Sequence, residues 1–338
     1  MNGAATRRPG VELHCEVLSL QLHEPVRIAN HTFHDMPSLH LQLREGPHAG
    51  RGEAQGVFFV QDDPAAMPAQ LEPLREALRD GLDREQLRLA LPPGGARNAL
   101  DCALWELQAR RCGRAVWQLA GLPAPRPLRT TFTLSVNSPA DMAARALRGL
   151  HGQGSALKLK LAGDTAVDIE RVRAVRAARP DAWIAVDANR GFTPDTLEAL
   201  LPVLVDCGVK LLEQPFARGR EQDMDVVDFP LPVAADESCL DLAELETLPG
   251  RFDMVNIKLD KCGGLTEGLM MARRARELGL QVMVGNMGGT SLAMAPAFVL
   301  GQLCDVVDLD GPTILAHDCS PAVRYEDGLL HCEQAVWG

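Results

Sequence analysis

The run Ala156-Leu157-Lys158-Leu159-Lys160-Leu161-Ala162 decides the fold. In an extended strand residues i and i+2 share a face, so Lys158 and Lys160 lie on one side and Leu157, Leu159 and Leu161 on the other. On a surface sheet these would be two solvated lysines above a leucine layer. Here, however, runs of the same texture recur along the chain, separated by helical stretches such as Ile169 to Ala178 and Leu265 to Leu278. A strand covered by helices turns its leucines toward them and its lysines inward.

The other runs are TTFTLSV (130–136), WIAVDAN (183–189), VKLLEQP (209–215), LPVAADES (231–238), DMVNIKLD (253–260), LQVMVGN (280–286) and DVVDLDGP (305–312), which makes eight. Each run after the first ends near a polar landmark: Lys160, Asp187, Glu213, Asp236, Lys258, Asn286 and Asp308. The gaps are 27, 26, 23, 22, 28 and 22 residues, one βα unit apiece. Eight such units predict a TIM-type (β/α) barrel, with its polar residues at the carboxyl ends of the strands, where barrel active sites are built. A Rossmann sheet is the alternative, but no Gly-x-Gly-x-x-Gly follows a strand, and Gly285-Asn286-Met287-Gly288-Gly289 does not match that pattern.

Upstream, residues 11–60 hold three strand-like runs, VELHCEVLSLQL, SLHLQLREG and GEAQGVFFV, which fit an antiparallel meander. Helical patterns follow, the clearest from Asn98 to Arg111 with Gly113 as its stop. Strands followed by helices predict an N-terminal α+β capping domain over 1–125, a barrel over 126–319, and a tail, 320–338, that packs back on the first domain. At 338 residues and 46% hydrophobic content the chain is long enough for both.

The formal charge is −11 without a block of like charge, which argues for a small-molecule partner and against nucleic acid or an anionic membrane surface. Nine cysteines, an odd number with no Cys-x-x-Cys, suggest neither a disulfide framework nor a zinc site and read as reduced thiols of the cytosol. Arg7 and Arg8 lead into no apolar core, and no eighteen apolar residues run together, so a cytoplasmic location is expected.

Asp187, Glu213 and Asp236 close strands 3, 4 and 5 of the barrel, so three carboxylates converge on one arc of its mouth. Singly, each would be read as a helix cap or a surface ion pair. As an all-oxygen set they suit Mg²⁺, with Mn²⁺ the nearest competitor. Lys258 closes strand 6, opposite strand 2 in a ring of eight, so Lys160 and Lys258 face each other with the carboxylates between them. A substrate carbon at the centre has a lysine on each face, the arrangement that inverts a stereocentre. Removing a proton beside a carboxylate produces an enediolate whose doubled charge a divalent cation stabilises. The base must be a neutral lysine, its pKa lowered by the metal charge, by neighbouring Lys158 and by desolvation.

Lys158-Leu159-Lys160, Asp187-Ala188-Asn189, Glu213-Gln214-Pro215, Ala235-Asp236-Glu237-Ser238 and Asn256-Ile257-Lys258, in that order, resemble the muconate-lactonising subgroup of the enolase superfamily over nearly the whole chain. Within it, Asp308-Leu309-Asp310 is similar to the Asp-x-Asp of dipeptide epimerases, whose aspartates hold the substrate's α-ammonium group. The resemblance implies a Mg²⁺-dependent epimerase acting on the C-terminal residue of a dipeptide by two-base transfer between Lys160 and Lys258. A dipeptide separates its carboxylate from its ammonium by roughly 5 to 7 Å, a fair match to a barrel lumen. The competing reading of Asp308 and Asp310 is a cap on the turn before Pro312.

Specificity in such enzymes comes from capping loops, here about 24–34 and 52–63. Relatives that take glutamate carry an arginine in the first loop, where this chain has Asn30, with Arg27 three residues earlier. The second loop offers Phe58 and Phe59 with Asp62 and Asp63, suited to a cationic or hydrophobic side chain, although the two aspartates also fit a helix cap before Pro64. Asn30, Phe58, Asp62, Asn286, Asp308 and Asp310 are thus the candidate substrate contacts. His31, His34 and His317 receive no role, and a homo-oligomer stays open.

Three rival readings keep the barrel. A cycloisomerase, o-succinylbenzoate synthase or N-acylamino acid racemase would use the same metal and lysines on substrates lacking a free ammonium. A Schiff-base lyase would need a lysine and no metal. A barrel that only binds an amino acid or peptide would have no need of the whole set.

Overall fold

The computed structural model describes residues 10–28, 31–148 and 156–338. Asn30 and the tip of the first capping loop lie outside them. The cap begins as an antiparallel meander of β1 (Glu12–Ile28), β2 (His31–Glu45) and β3 (His48–Ala54). The β1–β2 ladder runs from Glu12↔Arg44 to Ile28↔His31, with a break of register between Gln21 and Val26. Leu39, Leu41 and Leu43 of β2 pack with Ala99, Leu100, Ala103 and Leu107 of the helix Gly95–Cys112. That helix lies directly on β3, where a Cβ at Gly50 would stand 2.0 Å from the Ala103 carbonyl oxygen and one at Gly52 1.9 Å from that of Ala99. Only glycine permits so close an approach.

The meander differs from expectation at its ends. The β1–β2 ladder extends into the segment read as a loop, as far as Ile28 and His31, and the third strand stops at Ala54 instead of running to Val60. Phe58–Val60 is a single 3₁₀ turn inside a Val57↔Asp62 bridge. Gly56 causes the change, with φ +69° and a Cβ position 2.1 Å from the Asp62 carbonyl oxygen, so the chain must turn there.

After β4 (Leu128–Arg129), eight parallel strands follow: β5 (Thr131–Leu134), β6 (Ala156–Lys160), β7 (Trp183–Asp187), β8 (Leu211–Glu213), β9 (Val233–Ala235), β10 (Met254–Lys258), β11 (Gln281–Gly285) and β12 (Val306–Val307). They are hydrogen-bonded in sequence order, as in a TIM-type barrel. Side chains link the first and last strands: Thr131 Oγ1 donates to Asp308 Oδ1 at 2.5 Å, and the Leu309 N–H to Thr130 Oγ1 at 2.9 Å. Leu157, Leu159 and Leu161 face the helix layer within the largest apolar cluster. Ala185, Leu211, Ala234, Met254 and Met283 form a separate cluster, the floor of the lumen beneath the site.

Not every gap holds an α-helix. The connections after β8 and β9 carry only the 3₁₀ segments Glu221–Val226 and Glu244–Thr247, and β12 is followed by the 3₁₀ turn Gly311–Ile314. Pro215, Gly219, Pro230 and Pro232 punctuate the first of these stretches and Pro249-Gly250 ends the second, leaving no uninterrupted helical face. The C-terminal segment forms β13 (Arg324–Glu326) and β14 (Leu329–His331) beside β4. It then returns to the cap, where Trp337 Nε1 donates to the Arg51 carbonyl at 3.1 Å. No helix among the described residues is long and apolar enough to cross a membrane.

Candidate active site

Lys158 and Lys160 enter the lumen from β6, as the leucine alternation requires, and Lys258 enters from β10, four strands away in the sheet order. Between these strands, β7, β8 and β9 end in or just before Asp187, Glu213 and Asp236, all buried. One oxygen from each of the three carboxylates lies within 4.8 Å of the others. The backbone that presents them is strained: Asn189 (φ 45°), Arg190 (φ 64°) and Gln214 (φ 40°) are left-handed without being glycine. Local bonds hold the strain, with the Asn189 N–H on Asp187 Oδ1 at 2.9 Å and Gln214 Oε1 accepting from the Asp236 and Ser238 N–H groups at 2.9 and 3.0 Å.

Each lysine engages this carboxylate arc. Lys158 Nζ lies 2.7 Å from Glu213 Oε2, 2.8 Å from Asp308 Oδ2 and 3.3 Å from Asp187 Oδ2. Lys160 Nζ donates to Asp187 Oδ2 at 2.5 Å, and Lys258 Nζ to Asp236 Oδ2 at 2.7 Å. Burial works against the charge on Lys158 and Lys258, but the carboxylates outweigh it and raise both pKa values, Asp308 contributing most for Lys158 and Asp236 for Lys258. At Lys258 the expected lowering of the base pKa is therefore absent from this arrangement. A cation among the carboxylates would compete for the same oxygens.

The donor set fits a hard divalent cation. Glu213 Oε2 makes no hydrogen bond even though Lys158 is close, and burial, followed by Asp187, pushes the Glu213 carboxyl up to about 7. Three buried, mutually repelling carboxylates, one with an oxygen that has only the Lys158 ion pair, are the chemistry such an ion satisfies.

Several supporting residues were not anticipated from the sequence. Lys261 donates to Asp236 Oδ1 at 2.8 Å, to its carbonyl at 2.5 Å and to the Asn256 carbonyl at 2.9 Å, fixing Asp236 from behind. Asn256 Nδ2 holds Glu213 Oε1 at 2.7 Å. Glu237, next to Asp236, pairs with Arg190 at 3.0 Å, and Arg190 sits 5.2 Å from the centroid of the Phe59 ring. The signal was available in the spacing, because Lys261 follows Lys258 by three residues on the turn Leu259–Cys262 and Asn256 shares the inward face of β10.

The two strand-8 aspartates differ in their partners. Asp308 is committed at both oxygens, to Thr131 Oγ1 at 2.5 Å and Lys158 Nζ at 2.8 Å. Asp310 Oδ2 accepts from the Thr133 N–H at 2.6 Å, and among the described residues Asp310 has no ion-pair partner. Burial, then the Asp308 charge, pushes the Asp310 carboxyl up to about 6. Asn286 is occupied at both ends, donating to the Asp308 carbonyl at 2.6 Å and accepting from the Gly288 N–H at 2.7 Å. It lines the site while bracing the strand-8 loop.

A cavity of about 660 Å³ joins these groups to the cap. Val26, Ile28, Phe33, Phe58, Phe59 and Ile314 build its apolar wall. Phe58 packs with His31 at 5.5 Å and Phe33 at 5.3 Å between ring centroids. Arg27, between two lining residues of an alternating strand, is exposed and does not line it. Asp62 and Asp63 lie at the rim with structural duties, Asp62 Oδ2 accepting from the Gly95 N–H at 2.7 Å and Asp63 Oδ1 from the Ala65 N–H at 2.9 Å. His31 and His34 also line the cavity, and His317 does not.

Residues 12–121 match the N-terminal domain model of the mandelate racemase / muconate lactonizing enzymes, and residues 141–335 match the enolase C-terminal domain-like model. The chain is 40% identical to the L-Ala-D/L-Glu epimerase of Escherichia coli, covering 92% of this chain and 96% of that protein. It is 36% identical to the N-acetyl-D-glutamate racemase of a Pseudoalteromonas species, over 76% of this chain and 80% of that one. A solved enolase family member from Agrobacterium tumefaciens with homology to dipeptide epimerases, holding sodium and L-Ala-L-Glu, superposes with a TM-score of 0.92 at 36% identity, covering 97% of this chain and all of that one. The chain belongs to the mandelate racemase / muconate lactonizing enzyme family of the enolase superfamily.

Proposed function

We propose that this chain is a dipeptide epimerase that inverts the α-carbon of a dipeptide's C-terminal residue by two-base proton transfer. The observation that carries the reading is the placement of Lys160 and Lys258 four strands apart around one cavity, with three buried carboxylates on the strands between them. Asp187, Glu213 and Asp236 would hold Mg²⁺, and the bound ion would supply positive charge against the substrate carboxylate as its α-proton leaves. One of Lys160 and Lys258, neutral, takes that proton, and the other, as an ammonium, gives its own proton to the opposite face. Lys158 holds Asp187, Glu213 and Asp308 in register through its three contacts. Asp310, buried and without an ion pair among the described residues, receives the substrate's ammonium group, with Asp308 beside it; this favours a free dipeptide over an N-acylated amino acid.

The same reading extends to side-chain preference. Among the described residues lining the cavity the lysine and arginine cations are Lys158, Lys160 and Lys258, all committed to carboxylates, and the wall above them is mostly aliphatic and aromatic. A hydrophobic or aromatic C-terminal side chain fits that wall better than glutamate does. The rim acids are engaged by backbone N–H groups, which makes a cationic side chain the second choice.

The test is incubation of the Mg²⁺-loaded protein with a pooled library of L,L-dipeptides in D₂O, followed by mass spectrometry. Gain of one deuterium confined to dipeptides with apolar C-terminal residues supports the proposal. No uptake by any dipeptide, with exchange in a parallel incubation of N-acylamino acids or in neither pool, contradicts it.

A further inference from the structure

Lys258 leads directly into the turn Leu259–Cys262, which carries the buried residue Asp260. One oxygen, Asp260 Oδ1, accepts two backbone N–H groups, those of Gln55 and Gly56, each at 2.9 Å. At these two residues β3 has ended and the chain swings into the capping turn. Beyond them the Val57↔Asp62 bridge closes the turn that presents Phe58 to His31 and Phe33, and Phe59 to Arg190. The far end is pinned by Asp62 on the Gly95 N–H, a contact within the cap itself. Asp260 instead joins the near end of the turn to the strand that bears Lys258.

We propose that Asp260 is a positioning residue of the substrate site: by holding the Gln55 and Gly56 amides it sets the height of the Phe58–Phe59 turn above Lys258, and with it the fit of the side chain being epimerised. The substrate half of this inference rests on the dipeptide reading above, whereas the anchoring half rests on geometry alone. Because one oxygen accepts both hydrogen bonds, a carboxamide can replace the carboxylate. Burial pushes the Asp260 carboxyl up to about 7, against the Gly56 and Gln55 N–H groups, which pull it down.

The test compares Asp260→Ala and Asp260→Asn in the full-length protein, with Asp260→Ser, too short to reach both amides, as a second anchor-breaking variant should the alanine protein fail to fold. Hydrogen exchange at residues 55–62 should accelerate at least about tenfold in the alanine variant, the loss of a buried hydrogen bond. KM for the preferred bulky dipeptide should rise about tenfold with kcat within about threefold, and the preference over L-Ala-L-Ala should shrink. Asp260→Asn should stay within about threefold of wild type on every measure. Unchanged exchange at 55–62 in the alanine or serine variant would overturn the anchor, as would an asparagine variant no better than alanine. A fall in kcat at constant KM would overturn the substrate half. Faster loop exchange in a protein whose wild type acts on no dipeptide would support the anchor and remove the dipeptide reading.

Discussion

Asp310→Asn separates a dipeptide enzyme from one acting on N-acylated amino acids. Asp310 is 6% exposed, its Oδ2 accepts the Thr133 N–H at 2.6 Å, and no described cation pairs with it. The asparagine can keep that acceptor while losing the charge, so the change falls on the ammonium group of the substrate. Truncating one partner of a buried, hydrogen-bonded charge pair costs about 2–5 kcal/mol, and with the Thr133 bond retained the lower part of that range applies, about 2–3 kcal/mol. In kcat/KM this is about 30- to 150-fold. The assay is α-proton exchange in D₂O with one apolar dipeptide, free and N-acetylated. Wild type should favour the free form, and the variant should lose about 30- to 150-fold on it while changing by less than about threefold on the acetylated one. Equal loss on both substrates would assign Asp310 a structural part, and a wild type that favours the acetylated compound would refute the ammonium site.

Metal and pH offer two independent checks. Mg²⁺ at 100 times its Kd should stabilise the fold by about 2.7 kcal/mol, a rise in Tm of at least about 3 °C, and Glu213→Gln should abolish most of it; an equal rise in the variant would remove the carboxylate site. Asp101, buried in the helix Gly95–Cys112, accepts from the Thr266 N–H at 2.9 Å and its hydroxyl at 2.6 Å, and burial pushes its carboxyl from 3.8 up to about 6. A carboxyl raised on folding contributes stability that is fully present below the unfolded pKa and is lost as pH rises through the folded one, here about 3 kcal/mol between pH about 4 and about 6. Wild-type stability minus that of Asp101→Asn, from urea unfolding, should therefore fall as pH rises from 4 to 6.5; a constant difference would contradict this assignment.

The barrel was legible because its inner and outer layers impose different residue types. Leu157, Leu159 and Leu161 against Lys158 and Lys160 can be satisfied in only one way once helices cover the outside. Strands as short as Leu211–Glu213 and Val306–Val307 were still detectable, since each ends near a charged residue that the lumen requires. The 3₁₀ connections were missed because landmark spacing counts chain length and is blind to whether the intervening residues can keep one helical face. Asp62 shows the same limit at the site: a rim acid read from its neighbours Phe58 and Phe59 turns out to hold the Gly95 N–H, a partner 33 positions away. Asp260 acts through a contact of the same kind, on the Gln55 and Gly56 N–H groups 205 and 204 positions away, which no local pattern announces.

The two-base claim is tested most directly by stereochemistry. Wild type, Lys160→Ala and Lys258→Ala would each be incubated with Mg²⁺ in D₂O and, separately, with the two diastereomers of one preferred dipeptide. Loss of either base should slow epimerisation by at least about 10²-fold. Each variant should still exchange the α-proton of one diastereomer, and the two variants should exchange opposite ones. Exchange of the same diastereomer by both variants, or continued epimerisation by either, would contradict the placement of one lysine on each face of the substrate.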